Sequence, residues 1–208
     1  MMRPRERWTA RRFTAVIPIC LLLAVGCGKK NQQTAENPNA PAPAESANAK
    51  TSPAPNLTDA NIAAIVVAAN NVDINNGEVA KTKATTPAVK QFAQMMIKDH
   101  GSVNQKAKAL VAKLGIQPEE NDASRKLVED GDHKRADMQT KTGMDFDKFY
   151  IDDEVDYHQA VLDKIDKDLI PSAQNPELKS LLEKVRPAVA QHLEHAKQIQ
   201  SELKNTKT

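Results

Sequence analysis

Aromatic residues and glycine are scarce in this 208-residue chain, which has one Trp, two Tyr, four Phe and seven Gly. Sheets draw on β-branched and aromatic residues bounded by turn glycines. Their scarcity argues against a sheet protein, and the long Ala, Lys, Glu, Asp and Gln-rich stretches favour helices. Also missing are a Gly-rich phosphate loop, a Ser-His-Asp order and a strand-to-helix nucleophile elbow, so enzymatic activity has no positive support in the sequence. No basic stripe with interleaved aromatics is present, which sets nucleic acid aside as a partner.

The net charge of +2 is unevenly distributed. Arg3, Arg5, Arg7, Arg11 and Arg12 stand against Glu6 alone, and an apolar run from Phe13 to Ala24 comes next. A basic segment, an apolar run of about a dozen residues and small residues before a cysteine form the layout of a secretory signal. The run is short of the about 20 apolar residues a spanning helix needs. Gly26-Cys27 resembles a bacterial lipobox, in which the thiol is lipidated, although Ala24 stands where Leu is commoner, leaving secretion without lipid as the alternative. Cys20 comes after Pro18-Ile19 and is a poor rival for a peptidase that selects small side chains.

Cleavage before Cys27 removes five of 29 basic and one of 27 acidic residues, leaving 24 against 26 and a charge of −2. Only Cys27 remains, so an intrachain disulfide and cysteine-based chemistry in the folded part are excluded. Residues 28–56 are rich in Asn, Ala, Pro, Ser and Gln and include five prolines. Such composition cannot build a core and reads as a disordered tether. The expected organisation is therefore a signal at 1–26, a lipidated Cys27 and tether at 27–56, a helical domain at 57–204 and a polar tail at 205–208.

Within the domain, Thr58 is placed to cap a first helix, and Thr86-Pro87 begins a second that ends at Gly115. Residues 122–142 are weakly patterned and read as a short crossover helix closed by Gly143. A third long helix is expected from Asp145 to Ile170, stopped by Pro171. Asn175-Pro176 starts a fourth reaching Leu203, which Pro187 should kink or deprive of one hydrogen bond. Two antiparallel pairs and a crossover make an antiparallel four-helix bundle.

Helical geometry at about 100° per residue carries Asp73, His100 and His192 onto apolar faces. His158 is placed inside the third helix, whose apolar residues fall into two stripes. Counting residues from each turn puts all four groups at similar heights. A weak internal repeat supports this: Phe92 and Tyr150 each lie eight residues before a histidine, His100 and His158, with Val103 and Val161 three residues after. Histidines would then face one another across a pseudo-two-fold axis.

The sequence supports two uses for such groups. Asp73, His100, His158 and His192 would supply three nitrogens and one oxygen to a divalent transition metal such as Zn, Cu or Fe. Asp99, Glu154, His195 and Met96 are supporting or alternative ligands. A carboxylate-bridged di-iron centre fits poorly, because Glu-x-x-His is absent: Ile97, Val155 and Val189 precede the three histidines by three residues. The commoner use is a buried hydrogen-bond network. Met96 is expected as core filler, His195 and His133 at the surface, and the acidic run Asp152, Asp153, Glu154 and Asp156 as a solvated face.

Asp73 with Gly77 and Ala80, the stretches from Pro87 to Ala93 and from Met96 to His100, Gly143 to Asp147 with Tyr150 and His158, and Pro187 with His192-Leu193 together resemble a bacterial envelope family catalogued as domain of unknown function 4142. The similarity spans about Leu57 to Ile199. It implies a ferritin-like helical fold in an exported or outer-membrane-associated protein, with no established reaction. The chain departs from the family pattern at Asp73, usually Glu, at Glu154, usually Met, and at Tyr157, usually Asp. Together these readings suggest an outer-membrane lipoprotein with its domain in the periplasm, anchored by lipid and acting as a metal-binding or stress-related protein. The alternative is a structural module that binds another envelope protein.

Overall fold

The computed structural model describes residues 57–205. The expected signal, Cys27 and most of the tether lie outside the described residues, as does most of the polar tail. Five long helices account for the described part, without strands: α1 (Asp59–Lys83), α2 (Pro87–Leu114), α3 (Asp122–Thr140), α4 (Gly143–Lys164) and α5 (Pro176–Asn205). No helix among the described residues is long and apolar enough to cross a membrane.

Local chemistry sets the boundaries. Thr58 and Asn61 form a reciprocal capping box at the start of α1, satisfying amide donors that a helix start leaves open. Thr86 caps α2, whose first residue is Pro87, and Gly115 closes it at φ 66°, a left-handed conformation that glycine adopts without a side-chain penalty. The Asn175 Oδ1 accepts from the amides of Glu177 and Leu178 as α5 begins.

Two helical hairpins result. α1 packs along α2 and α4 along α5, with α1 also meeting α4 and α2 meeting α5. The expected short crossover is instead a full 19-residue helix, α3, laid against the outside of α1. Its polar sequence hides a narrow contact line at Ser124, Gly131 and Met138. A side chain at Gly131 would lie 2.7 Å from the Val72 Cγ2, so glycine permits the two backbones to approach. Periodicity understated the length of this helix because only one side of it is covered.

α4 does not stop at Lys164. It passes through one π-helical turn, Ile165–Leu169, and a last turn, Ile170–Ser172. Pro171 therefore sits inside the final turn rather than before the end. A π turn carries an extra residue and shifts the phase of the residues beyond it, here only the last turn; the two apolar stripes separate before it, and both are covered, since Tyr150, Ile151, Leu162, Ile165 and Leu169 are all buried. α5 runs unbroken through Pro187, which is exposed; the carbonyl that proline leaves without an amide partner is on the wet side.

The interior has three layers. One apolar cluster contains Ala80, Val89, Phe92, Met96, Phe146, Tyr150 and Ile199. The other contains Ile62, Ile65, Leu162, Leu178, Leu182 and Val189. In sequence, each long helix of the two hairpins passes between them through buried polar residues: Asn70 and Asp73, His100 and Asn104, Glu154 and His158, and His192.

Three buried histidines and two carboxylates as a candidate metal centre

His100, His158 and His192 come from α2, α4 and α5 and are 5%, 1% and 6% exposed. Their ring centroids are 5.6 Å apart for His100 and His158, 5.2 Å for His100 and His192, and 5.5 Å for His158 and His192. The Phe92 and Tyr150 rings of the internal repeat meet edge-on at 6.2 Å. One nitrogen from each imidazole lies within 4.8 Å of one from each of the others.

Each ring has one nitrogen beside an oxygen. The Asn70 Nδ2 donates to the Val66 carbonyl at 2.8 Å, which turns its Oδ1 towards the His100 Nδ1 at 2.7 Å. An amide oxygen only accepts, so His100 carries its proton on Nδ1. The His158 Nδ1 donates to the Glu154 carbonyl at 3.0 Å, and the His192 Nε2 donates to the Asp99 Oδ2 at 3.3 Å. The other nitrogens, His100 Nε2, His158 Nε2 and His192 Nδ1, are buried and have no hydrogen-bond partner.

Two carboxylates flank this cluster. The Asp73 Oδ2 is 3.4 Å from the His100 Nδ1, and the Glu154 Oε2 is 3.2 Å from the His158 Nδ1. Asp73, Glu154 and His158 form a second group whose potential ligand atoms lie within 4.8 Å of one another. Asp73 thus approaches the same nitrogen of His100 that Asn70 occupies, and belongs with Glu154 in this second group.

Burial governs the protonation of the layer. It raises the Asp73 pKa well above the usual carboxylate value, with the nearby Glu154 charge adding to the effect and His158 opposing it. Burial lowers the His100 pKa well below the usual imidazole value, and the charges of His158 and His192 push the same way. His192 is also lowered, by burial and then by His158, against the opposing Asp99. Burial would lower His158 too, but Asp73 and Glu154 overcome it and raise its pKa to about 9.

The remaining candidates separate clearly. Glu154, expected on a solvated acidic face, is 2% exposed and faces His158, whereas Asp152 and Asp156 on the same run are exposed. Met96 is wholly buried in the apolar cluster with Phe92. His195 is exposed and sets its ring edge-on to Phe92 at 5.5 Å. His133 is exposed as expected.

Sequence reasoning did not find Asn70, whose place one turn before Asp73 was its one signal. It also missed Asp147 as a structural group. Its carboxyl oxygens accept from the Thr85 amide at 2.9 Å, the Thr85 hydroxyl at 2.7 Å and the Thr86 amide at 2.7 Å, securing the α1–α2 turn.

No curated protein and no solved structure matches the chain. The family model described as a domain of unknown function, DUF4142, matches residues 40–199, more than half of the sequence and including every residue of the buried polar layer, and the chain belongs to that family.

Proposed function

We propose that this protein binds one divalent transition metal ion, Zn, Cu or Fe, through the His100 Nε2, His158 Nε2 and His192 Nδ1. The observation that carries the reading is the set of three buried ring nitrogens without partners, one per histidine. A buried polar atom normally finds a partner, and three unmet nitrogens in one layer suit a metal. The opposite nitrogens meet Asn70, the Glu154 carbonyl and Asp99, the outer-shell pattern that fixes ring orientation in metal sites. Asp73 and Glu154 then act as outer carboxylates that balance the ion's charge, and no reaction is assigned.

The same reading places the domain on a ferritin-like four-helix arrangement, with α3 as an added outer helix, in the bacterial envelope. Cys27 would carry the lipid, residues 28–56 would serve as the tether, and the domain would lie in the periplasm. These parts rest on the sequence: the basic and apolar N-terminus, the small residue before Cys27 and the proline-rich stretch after it. Cys27→Ser should move the protein from the membrane to the soluble fraction; persistence in membranes overturns the anchor.

A second reading has its own support. The short contact of Asn70 with His100 and the contact of Asp73 with the same ring suit a metal-free hydrogen-bond network in a structural or protein-interaction module. Titration of the purified protein separates the two. Saturable uptake of one ion, abolished by His100→Ala, supports the centre, and no uptake at micromolar metal sinks it.

A further inference from the structure

A cavity of about 200 Å³ lies among α1, α3, α4 and α5 and reaches His100 on α2. Its walls are largely apolar, with Ile65, Leu127, Val161, Leu169 and Val185 from four helices. Asn70, Asp73 and His100 line it as well, and all three are buried. Asp130, which is exposed, and Lys164, whose side chain is 31% exposed, also line it and mark where it opens to solvent. The space is therefore apolar along its length and polar where it meets the histidine layer.

Its size and donor inventory define a ligand. An apolar cavity of about 150 Å³ is enough to hold benzene, so this one accepts a single six-membered ring with a small substituent. At the polar end the side-chain donors are committed: the Asn70 Nδ2 serves the Val66 carbonyl, and the His100 Nδ1 serves the Asn70 Oδ1. Acceptors remain, on the Asp73 carboxyl and, in the metal-free protein, at the His100 Nε2. A ligand head must consequently donate a hydrogen bond. An anion lacks that donor and would meet the Asp73 carboxyl, whereas a neutral hydroxyl donates and accepts and suits Asp73 in either protonation state.

The wall formed by α4 is unusual. Ile165 and Leu169, the first and last residues of the π turn, both line the cavity. The backbone N–H of Ile170 reaches the Ile165 carbonyl five residues back, and that wider turn shapes the wall next to the opening. π turns within helices occur frequently at functional sites.

We propose that this cavity is a binding site for a neutral phenol-type molecule, a single aromatic ring whose hydroxyl points to Asp73 and His100. The site goes beyond metal binding and does not depend on it. His192, one of the three proposed ligands, does not line the cavity.

Calorimetric titration of the chelator-treated full chain with phenol, toluene and benzoate tests it. Phenol should saturate one site with a Kd below ~10 mM and bind at least ~10-fold more tightly than toluene or benzoate. Val161→Phe, which fills the space from α4, should weaken phenol at least ~10-fold, and Val185→Phe on α5 serves where the first variant fails to fold by circular dichroism. His192→Ala should bind phenol as the unaltered protein does while losing metal, so failure of either site is seen without the other. No saturation, equal affinity for toluene or benzoate, indifference to both cavity-filling variants, or loss of phenol in His192→Ala overturns the proposal.

Discussion

The Asn70 Oδ1 stands 2.7 Å from the His100 Nδ1, and the Asn70 amide group is itself pinned by the Val66 carbonyl four residues back. One side chain of α1 therefore decides which nitrogen of a histidine on α2 carries the proton. Asn70→Ala should leave His100 free to rotate or change tautomer and lower metal affinity by ~10–100-fold, the usual effect of losing such a partner. Equilibrium dialysis against a competing chelator reads that change. Unaltered affinity would mean that Asp73, at 3.4 Å, holds the ring alone.

Metal affinity should depend on pH through His158. Its pKa is raised to about 9, so near neutrality the Nε2 proton must leave before that atom can bind an ion. Apparent affinity should rise about tenfold per pH unit towards about 9 and flatten above it. A flat profile from pH 7 to 9 would show that metal binding displaces no proton from His158.

Stability of the metal-free protein carries two opposite histidine signatures. His100 and His192 have lowered pKa values; the unfolded chain binds more protons there, so their contribution is present above the unfolded value of about 6.5 and is lost as pH falls below it. His158 is raised, so its contribution is present below about 6.5 and is lost as pH climbs through about 9. Asp73, also raised, favours folding at acid pH and partly offsets the loss from His100 and His192. Urea unfolding of His158→Gln should show the loss on the alkaline side removed and the acid side retained.

The burial of Glu154 and the length of α3 mark where sequence reading stops. Caps at Thr58 and Thr86, the glycine after α2 and the inward histidines arise from local chemistry and from helical periodicity, and the structure has each of them. Glu154 sits within an acidic run, and a local pattern cannot distinguish one carboxylate turned towards His158 from Asp153 paired with Lys134 and from two turned towards water. The π turn is equally hidden, because one inserted residue near the end of a helix leaves too short a stretch beyond it for a change of phase to show. Asp147 acts across the fold on Thr85 and Thr86, a relation that spacing along the chain does not encode.

Asp147→Ala should destabilise the domain by ~2–3 kcal/mol, since it strands two amide donors and a hydroxyl at the α1–α2 turn. Asp147→Asn keeps an acceptor and should recover part of that loss. Chemical denaturation of both variants checks the order, and equal stability of the two would show that a single acceptor does not suffice.

Gly131→Ala sets two effects against each other. Alanine gains about 1 kcal/mol of helix propensity over glycine, but its Cβ would meet the Val72 Cγ2 at 2.7 Å. Overpacking typically costs about 1–3 kcal/mol, so the net change should be destabilising and should expose α3 to faster amide exchange. Protection of α3 equal to that of the unaltered protein would mean that Val72 moves aside freely.

The three unpartnered imidazole nitrogens are divided between the two hairpins: His100 belongs to the first, and His158 and His192 to the second. Neither hairpin can hold a complete site by itself. A metal ion captured there would act as a rivet set only after the two halves have closed, so occupancy would report finished assembly and its loss would be felt first as separation of the hairpins rather than fraying of their ends.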